Sequence, residues 1–344
     1  MLDNTVNSSG TYSIVSAPNC PIPPGRTTRT ARPTKANRRT CKLLYVDKRR
    51  SHQMKIKSKS LTHVHIYNCI ATMVQVIKTD EPIKILDAGC GNGELISYLH
   101  RSFRANFPLL RFDIYGFDVI DHGVQSNGYG VETLALLEAL DPSVDWKQRI
   151  QFFTIDEKWH YESNFFEFIV SNQVLEHVQD KYSFFRNIHR CLKNNGYSFN
   201  LAPLVHCMHE GHIWIPFAHR VRSYDFLLYY IKTASRLRIG KYKTHHISTG
   251  VTLDEFSRRH ADYMMFWTSY ASQASTLDIA RKANLRCDFR FTKEFYFIKI
   301  LRILRIRLPL LYNPRQSALV SAISVRVLRY VSSVTLTLQK GNDY

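Results

Sequence analysis

Between Ile83 and Glu94 the chain reads Ile-Lys-Ile-Leu-Asp-Ala-Gly-Cys-Gly-Asn-Gly-Glu, an apolar run that meets an acid and then three alternating glycines. Ile83, Ile85 and Leu86 have the character of a buried parallel strand, and Leu95–Phe103 that of the helix after it. Glycines between strand and helix permit a tight turn and a close approach of backbone to a ligand. A dinucleotide site needs G-x-G-x-x-G, with a helix N-terminus open to a pyrophosphate. Here the spacing is G-x-G-x-G, with Asp87 before the turn and Glu94 just inside the helix. Two carboxylates repel a pyrophosphate and suit a ligand that carries positive charge.

Further along, the order of segments extends the pattern. Arg111–Asp118 reads as a second strand ending in an acid, Gln151–Asp156 as a third, and Phe165–Asn172 as a fourth that runs on into Leu175-Glu176-His177. A helix over Phe184–Leu192, stopped by Asn194-Asn195-Gly196, leads to a fifth strand at Tyr197–Leu201. In this order and spacing, residues 83–205 resemble the class I S-adenosylmethionine-dependent methyltransferases, in particular a type 11-like methyltransferase domain. The resemblance implies a Rossmann-like, doubly wound α/β fold with a mainly parallel seven-stranded sheet. Its cofactor is S-adenosylmethionine, whose ammonium and sulfonium match the two carboxylates. It also implies that Asp87, Gly89, Cys90, Gly91, Gly93 and Asn172 line the cofactor, that Asp118 meets the ribose hydroxyls and that Asp156 lies beside the adenine. An NAD-type oxidoreductase is the main rival, opposed by the glycine spacing and the flanking acids. A non-catalytic scaffold is a second rival, opposed by the intact set of Asp87, the three glycines and Asp118.

Methyl transfer asks little chemistry of the protein: the acceptor must lie in line with the S–CH₃ bond, away from water. A hydroxyl acceptor also needs a general base, most often His, Asp or Glu. Such groups cluster just past the fifth strand, in Pro203–Pro216, where a doubly wound fold binds its ligands. His209, Glu210 and His212 are the candidates for the base, with His206 behind them; lid packing by the same histidines is the plain alternative. The spacing of His206, Cys207, His209 and His212 matches no familiar zinc arrangement, so no metal is expected. Glu176 and His177 read as pocket architecture first and catalytic groups second.

Charge is unevenly distributed. The chain of 344 residues carries +19, and residues 1–60 hold thirteen Lys/Arg against two Asp, a net +11. With many Pro, Ser and Thr and little apolar periodicity, residues 1–55 read as a basic disordered tail. A solvated tail, an Arg-rich transit segment and a translation start at Met54 are its open readings; it has no apolar core for a secretory signal. It also lacks the interleaved aromatics that stack bases. Ser171-Asn172-Gln173-Val174 is neither the Pro-Pro-aromatic turn of adenine-amino methyltransferases nor a Pro-Cys nucleophile, so no specific nucleic-acid partner is expected. The acceptor is expected to be a small molecule, sugar or lipid, methylated on oxygen. Seven scattered cysteines without a C-x-x-C pair favour reduced thiols and a cytoplasmic setting.

The resulting division is 1–55 tail, 56–205 cofactor-binding core, 206–275 helical cap and acceptor region, and 276–344 the return of the core. Within the cap, Ser223–Leu237 and Leu253–Phe266 read as helices, the latter with Thr252 as N-cap. Gly240–Gly250 reads as a polar loop, and the cap aromatics, among them Tyr263 and Tyr270, as core. Val334–Lys340 alternates at period two and is expected to be the final strand, in preference to a hairpin strand at Phe295–Leu301. Residues 295–332 then form an insertion of apolar residues and recurring cations. Such a segment can lie in a membrane interface, which makes peripheral membrane contact one reading of it; the plain alternative is two helices packed on the sheet with their arginines in water.

Overall fold

The computed structural model describes residues 60–75, 79–119, 129–154, 158–306 and 312–341. The basic tail and Asp156 lie outside the described residues. Seven strands form one sheet: β1 (Ile83–Ala88), β2 (Phe112–Val119), β3 (Ile150–Phe153), β4 (Phe166–Asn172), β5 (Leu192–Ala202), β6 (Leu285–Asp288) and β7 (Val334–Lys340). Their order is β3-β2-β1-β4-β5-β7-β6, with β7 antiparallel to both β5 and β6 and the other pairs parallel. The final strand is therefore the C-terminal one, as its alternation predicts. The chain reverses direction across the sheet between β1 and β4. A cleft for a ligand opens at such a switch point, outside the carboxyl ends of the strands.

Helices cover both faces: α1 (Leu61–Val74), α2 (Glu94–Asn106), α3 (Tyr129–Leu140) and the short α4 (Trp146–Arg149), then α5 (Lys181–Cys191). Ile85, Phe168, Val170 and Phe199 face α1 and α2 on one side. Leu86, Ile169, Leu336 and Leu338 face α5 and α9 (Gln273–Lys282) on the other. Burial on both faces explains the apolar runs in β1 and β4; β7 is buried on both faces too, but carries Thr335 and Thr337 between its apolar residues.

Between β5 and β6 stands a cap of α6 (Tyr224–Arg236), α7 (Tyr242–Thr249) and α8 (Leu253–Phe266). Its own apolar centre holds Ile213, Ile215, Leu227, Ile231 and Phe256. Ser223 and Thr252 cap α6 and α8 by accepting from the backbone N–H groups of Phe226 and Glu255. The loop expected over Gly240–Gly250 is instead α7, ended by Gly250 at φ +72°, whose N–H donates to His246 O. Asn194–Gly196 do not stop α5; they lie inside β5, where Asn195 takes φ +61° beside a register shift against β4. The 295–332 insertion forms α10 (Thr292–Ile303) and α11 (Ala318–Leu328), so Phe295–Leu301 is helical.

Candidate active site

The glycine turn after β1 is clamped at several points. The N–H groups of Gly89 and Cys90 both donate to Phe117 O at 2.9 Å, and Thr133 Oγ1 donates to Gly91 O at 2.9 Å. Asp118, at the end of β2, accepts from Gly91 N–H and Val119 N–H. Gly89, Gly91 and Gly93 all take positive φ. At Gly89 a Cβ would stand 2.5 Å from Val174 Cγ2, so the turn excludes a side chain by conformation and by space.

A cleft of about 1750 Å³ opens over this turn, lined on its cofactor side by Asp87, Cys90, Asp118 and Asn172. Asp87 is buried, and neither carboxylate oxygen has a hydrogen-bond partner among the described residues; Asn172 Oδ1 is in the same position. Burial, then the nearby Asp118 charge, holds the Asp87 carboxyl well above its usual range, and burial raises Asp118 as well. An unpaired buried acid is costly unless a cation completes it. An ammonium or sulfonium aimed at this pair supplies that charge, whereas a pyrophosphate would worsen the repulsion. The donor set and the cradle are compatible with the cofactor expected from the sequence: Asp87, Gly89, Cys90, Gly91, Asp118 and Asn172 line the cleft, Gly93 supports the turn behind them, and Asp156 lies outside the described residues.

On its other side the same cleft is lined by His177, His212, His260 and Tyr263. Here the atoms around Glu210 and Tyr263 are paired with one another, while buried His260 Nε2 has no partner among the described residues. His212 Nδ1 donates to Glu210 Oε1 at 2.6 Å, and the N–H groups of His212 and Ile213 donate to Glu210 Oε2, both at 2.8 Å. Tyr270 OH adds a fourth bond to Glu210 Oε1 at 3.0 Å. His212 Nε2 lies 2.9 Å from Tyr263 OH, which in turn is 3.2 Å from His177 Nε2. His177 Nδ1 donates to Trp267 O at 2.9 Å, so its Nε2 can accept from Tyr263.

Burial works against charge on both members of the Glu210–His212 pair, but their mutual attraction outweighs it. His212 is held above its ordinary pKa, and Glu210, helped by Ile213 N–H and Tyr270 OH, below its own. Glu176 sits next to them, fully buried, with Oε2 lacking a partner among the described residues; burial raises its pKa to about 7. Lys181, whose Nζ donates to Val178 O and Ser269 O, is brought down by its own burial to about 8.

The three candidate bases are thus separated. His212 reaches the cleft, and Glu210 is buried behind it with its carboxylate committed to four donors. His209 is exposed and lies against Trp214, with ring centroids 6.4 Å apart. His206 lies against Tyr330 instead. Among the described residues, no three of His, Cys, Asp and Glu converge as a metal site. Tyr263 and Tyr270, expected as core, bring their hydroxyls to the site. Their partners lie 51 to 86 residues away in sequence, so no local spacing signals the contact.

A family model described as a methyltransferase domain matches residues 65–247. No curated protein matches the chain. Among solved structures, an S-adenosylmethionine-dependent methyltransferase from Mesorhizobium loti is 14% identical, with a TM-score of 0.41, covering 82% of this chain and 100% of its own. A Haemonchus contortus phosphoethanolamine N-methyltransferase 2, solved with S-adenosyl-L-methionine, is 15% identical, with a TM-score of 0.39. That match covers 80% of this chain but 52% of the worm enzyme, so this chain spans about half its length. The YcgJ protein of Bacillus subtilis is 12% identical, with a TM-score of 0.39, covering 80% of this chain and 100% of its own.

Proposed function

From the premise that the chain belongs to the class I S-adenosylmethionine-dependent methyltransferases, we propose that it methylates an acceptor hydroxyl, with His212 as the terminal proton acceptor. The observation that carries this reading is the line Glu210–His212–Tyr263–His177, set into the cleft that also holds Asp87. Amine and carbon acceptors differ in their need for a base, whereas a hydroxyl must give up its proton as it is alkylated.

The assigned roles follow from the bonds. Asp87 and Asp118, with the turn Gly89-Cys90-Gly91 and Gly93 and with Asn172, hold the cofactor, which supplies an activated methyl group when bound. Residues 206–275 form the acceptor region. Glu210 fixes the His212 ring with Nδ1–H toward its carboxylate, which leaves Nε2 directed at Tyr263. As the acceptor oxygen takes the methyl group, its proton passes to the Tyr263 oxygen while the Tyr263 proton moves to His212 Nε2. The imidazolium that forms is stabilised by Glu210, in the manner of an acid that orients a catalytic histidine. Tyr263 keeps its proton count, and its own ionisation, already disfavoured by burial, is not required.

The acceptor is read as a small molecule, a sugar or a lipid-linked hydroxyl compound. Radiolabelled cofactor offered to a panel of phenols, sugars and lipid-linked alcohols tests the reading. A product with a base-stable O-methyl ether supports it; transfer only to amines or carbon overturns the oxygen assignment and leaves the family intact.

A further inference from the structure

Helices α10 and α11 lie outside the cleft and carry large apolar side chains in water. Phe297, Ile300 and Leu304 recur along α10, and Val320, Ile323 and Val327 along α11, all exposed. Ile303 is 79% exposed and Val327 63%, values that belong to a face left uncovered and not to the edge of a core. The two helices are joined: Tyr296 OH donates to Leu328 O at 2.9 Å, and Lys299 Nζ to Ser332 Oγ at 3.1 Å. Between residues 295 and 341 the sequence holds eight Lys/Arg and no Asp or Glu. Arg302, Arg305 and Arg326 are exposed among the apolar positions.

The face continues to the rim of the site. Met208 N–H donates to Tyr330 O at 2.9 Å, and Phe217 N–H to Met208 O at 2.7 Å. Tyr330, Met208, Phe217 and Trp214 are all exposed, and Arg220 and Lys241 stand over the rings of Phe217 and Trp214 at 4.7 and 5.6 Å. The stretch that carries these groups is the one that also delivers Glu210 and His212. Exposed apolar helices, aromatic residues at their border and an excess of cations form the pattern of a surface that lies in a bilayer interface.

We propose that the α10–α11 face docks on an anionic lipid bilayer, with the Met208–Phe217 rim at the headgroup level. A second copy of the chain is the poorer occupant. An isologous contact would bring two copies of the same cationic patch together, and residues 295–341 hold no Asp or Glu to offset it. Anionic headgroups complement both the cations and the apolar rows. Among the described residues no helix is long and apolar enough to cross a membrane, so the contact is peripheral. An amphiphilic acceptor would then reach the cleft from the bilayer, a step that rests on the proposed hydroxyl methylation, whereas the docking does not.

The test is co-sedimentation of the full chain with phosphatidylcholine vesicles, with and without phosphatidylglycerol, in low and high salt. Pelleting with the anionic vesicles alone, reversed by salt, is the expected result. Ile323→Glu with Val327→Glu, and separately Arg302→Glu with Arg326→Glu, should each cut the vesicle partition coefficient at least about tenfold. Calorimetric affinity for S-adenosylmethionine stays at the wild-type value in both, which reports a folded core. Failure of wild type to pellet at low salt, or pelleting unchanged in both variants, overturns the proposal. So does concentration-dependent self-association that the Ile323→Glu/Val327→Glu variant abolishes, which would assign the face to a second copy. No readout needs turnover, so the docking can fail while hydroxyl methylation stands, and the reverse.

Discussion

The two walls of the cleft differ in how the acid at the centre of each is partnered. On the wall built from β1, β2 and β4, Asp87 and Asn172 are buried with oxygens unpaired among the described residues. Across the cleft, Glu210 meets four donors, and Tyr263 bridges two imidazoles. A buried acid without a partner costs free energy in the free protein and returns it when a cation arrives. The bonds around Glu210 are already made, although Glu176 Oε2 and His260 Nε2 beside them are unpaired among the described residues, and such bonds position groups without being consumed by ligand binding. On the proposed reading, the first wall binds and the second orients. Substitutions should separate the two: one wall changes affinity and the other changes rate.

The largest effect is expected at His212. His212→Ala should lower methyl transfer by about a hundredfold or more while cofactor affinity, read by calorimetry, stays unchanged. The pH profile carries the sign. With His212 as the proposed base, transfer requires its neutral form, and because Glu210 holds its pKa above the ordinary histidine range, the rate should climb as pH rises through that raised pKa. Glu210→Gln removes the main pull upward and should shift the midpoint to lower pH. A His212→Ala variant with wild-type turnover, or with lost cofactor binding, would erase the division between the walls.

Asp87→Asn is the reciprocal experiment. Loss of a charged contact to the cofactor should weaken binding by about 1–3 kcal/mol. The same change removes an uncompensated buried carboxylate, so the free protein should melt at an equal or higher temperature near neutral pH. Because burial raises the Asp87 pKa, cofactor affinity should also fall as pH is lowered through that value, and Asp87→Asn should lose this dependence. A variant that is both weaker in binding and less stable would mean that Asp87 holds the fold and not the ligand.

How far the sequence reaches differs between the walls for the same reason. The cofactor wall is compact in sequence: one strand, one turn and the acids at successive strand ends, each signalled by local pattern. Asp87 and the glycines stand out because an acid before a glycine turn is a local pattern, and Asp118 follows from the resemblance that pattern opens. The orienting wall is assembled from residues 176–177, 210–213, 263 and 270, on separate elements. His212 was visible as one of several candidates, but its distinction from His209 was not. One residue after His209, Glu210 turns inward, and the peptide between Glu210 and Ile213 folds around its carboxylate. That reversal puts His212 in the cleft and leaves His209 in solvent. Tyr263 and Tyr270 read as core because a hydroxyl's partner cannot be inferred from a helix face. Gly240–Gly250 read as a loop because α7 has no buried residue to give it a periodic pattern.

The smallest and sharpest effect lies within the orienting wall. Tyr270 OH and His212 Nδ1–H share one oxygen of Glu210, at 3.0 and 2.6 Å. Tyr270→Phe removes a neutral donor and keeps the ring that packs 4.6 Å from His219. With one donor fewer, the Glu210 carboxylate is less satisfied and attracts the imidazolium more strongly. The His212 pKa should then rise further, and the midpoint of the rate profile should move up by a fraction of a pH unit. The plateau rate at high pH should stay close to wild type, because His212 and Tyr263 keep their contacts. This sets Tyr270→Phe apart from Glu210→Gln, which moves the midpoint the other way. Opposite shifts from two neighbours of one imidazole identify it as the titrating group; shifts in the same direction, or none, would place the base elsewhere on the wall.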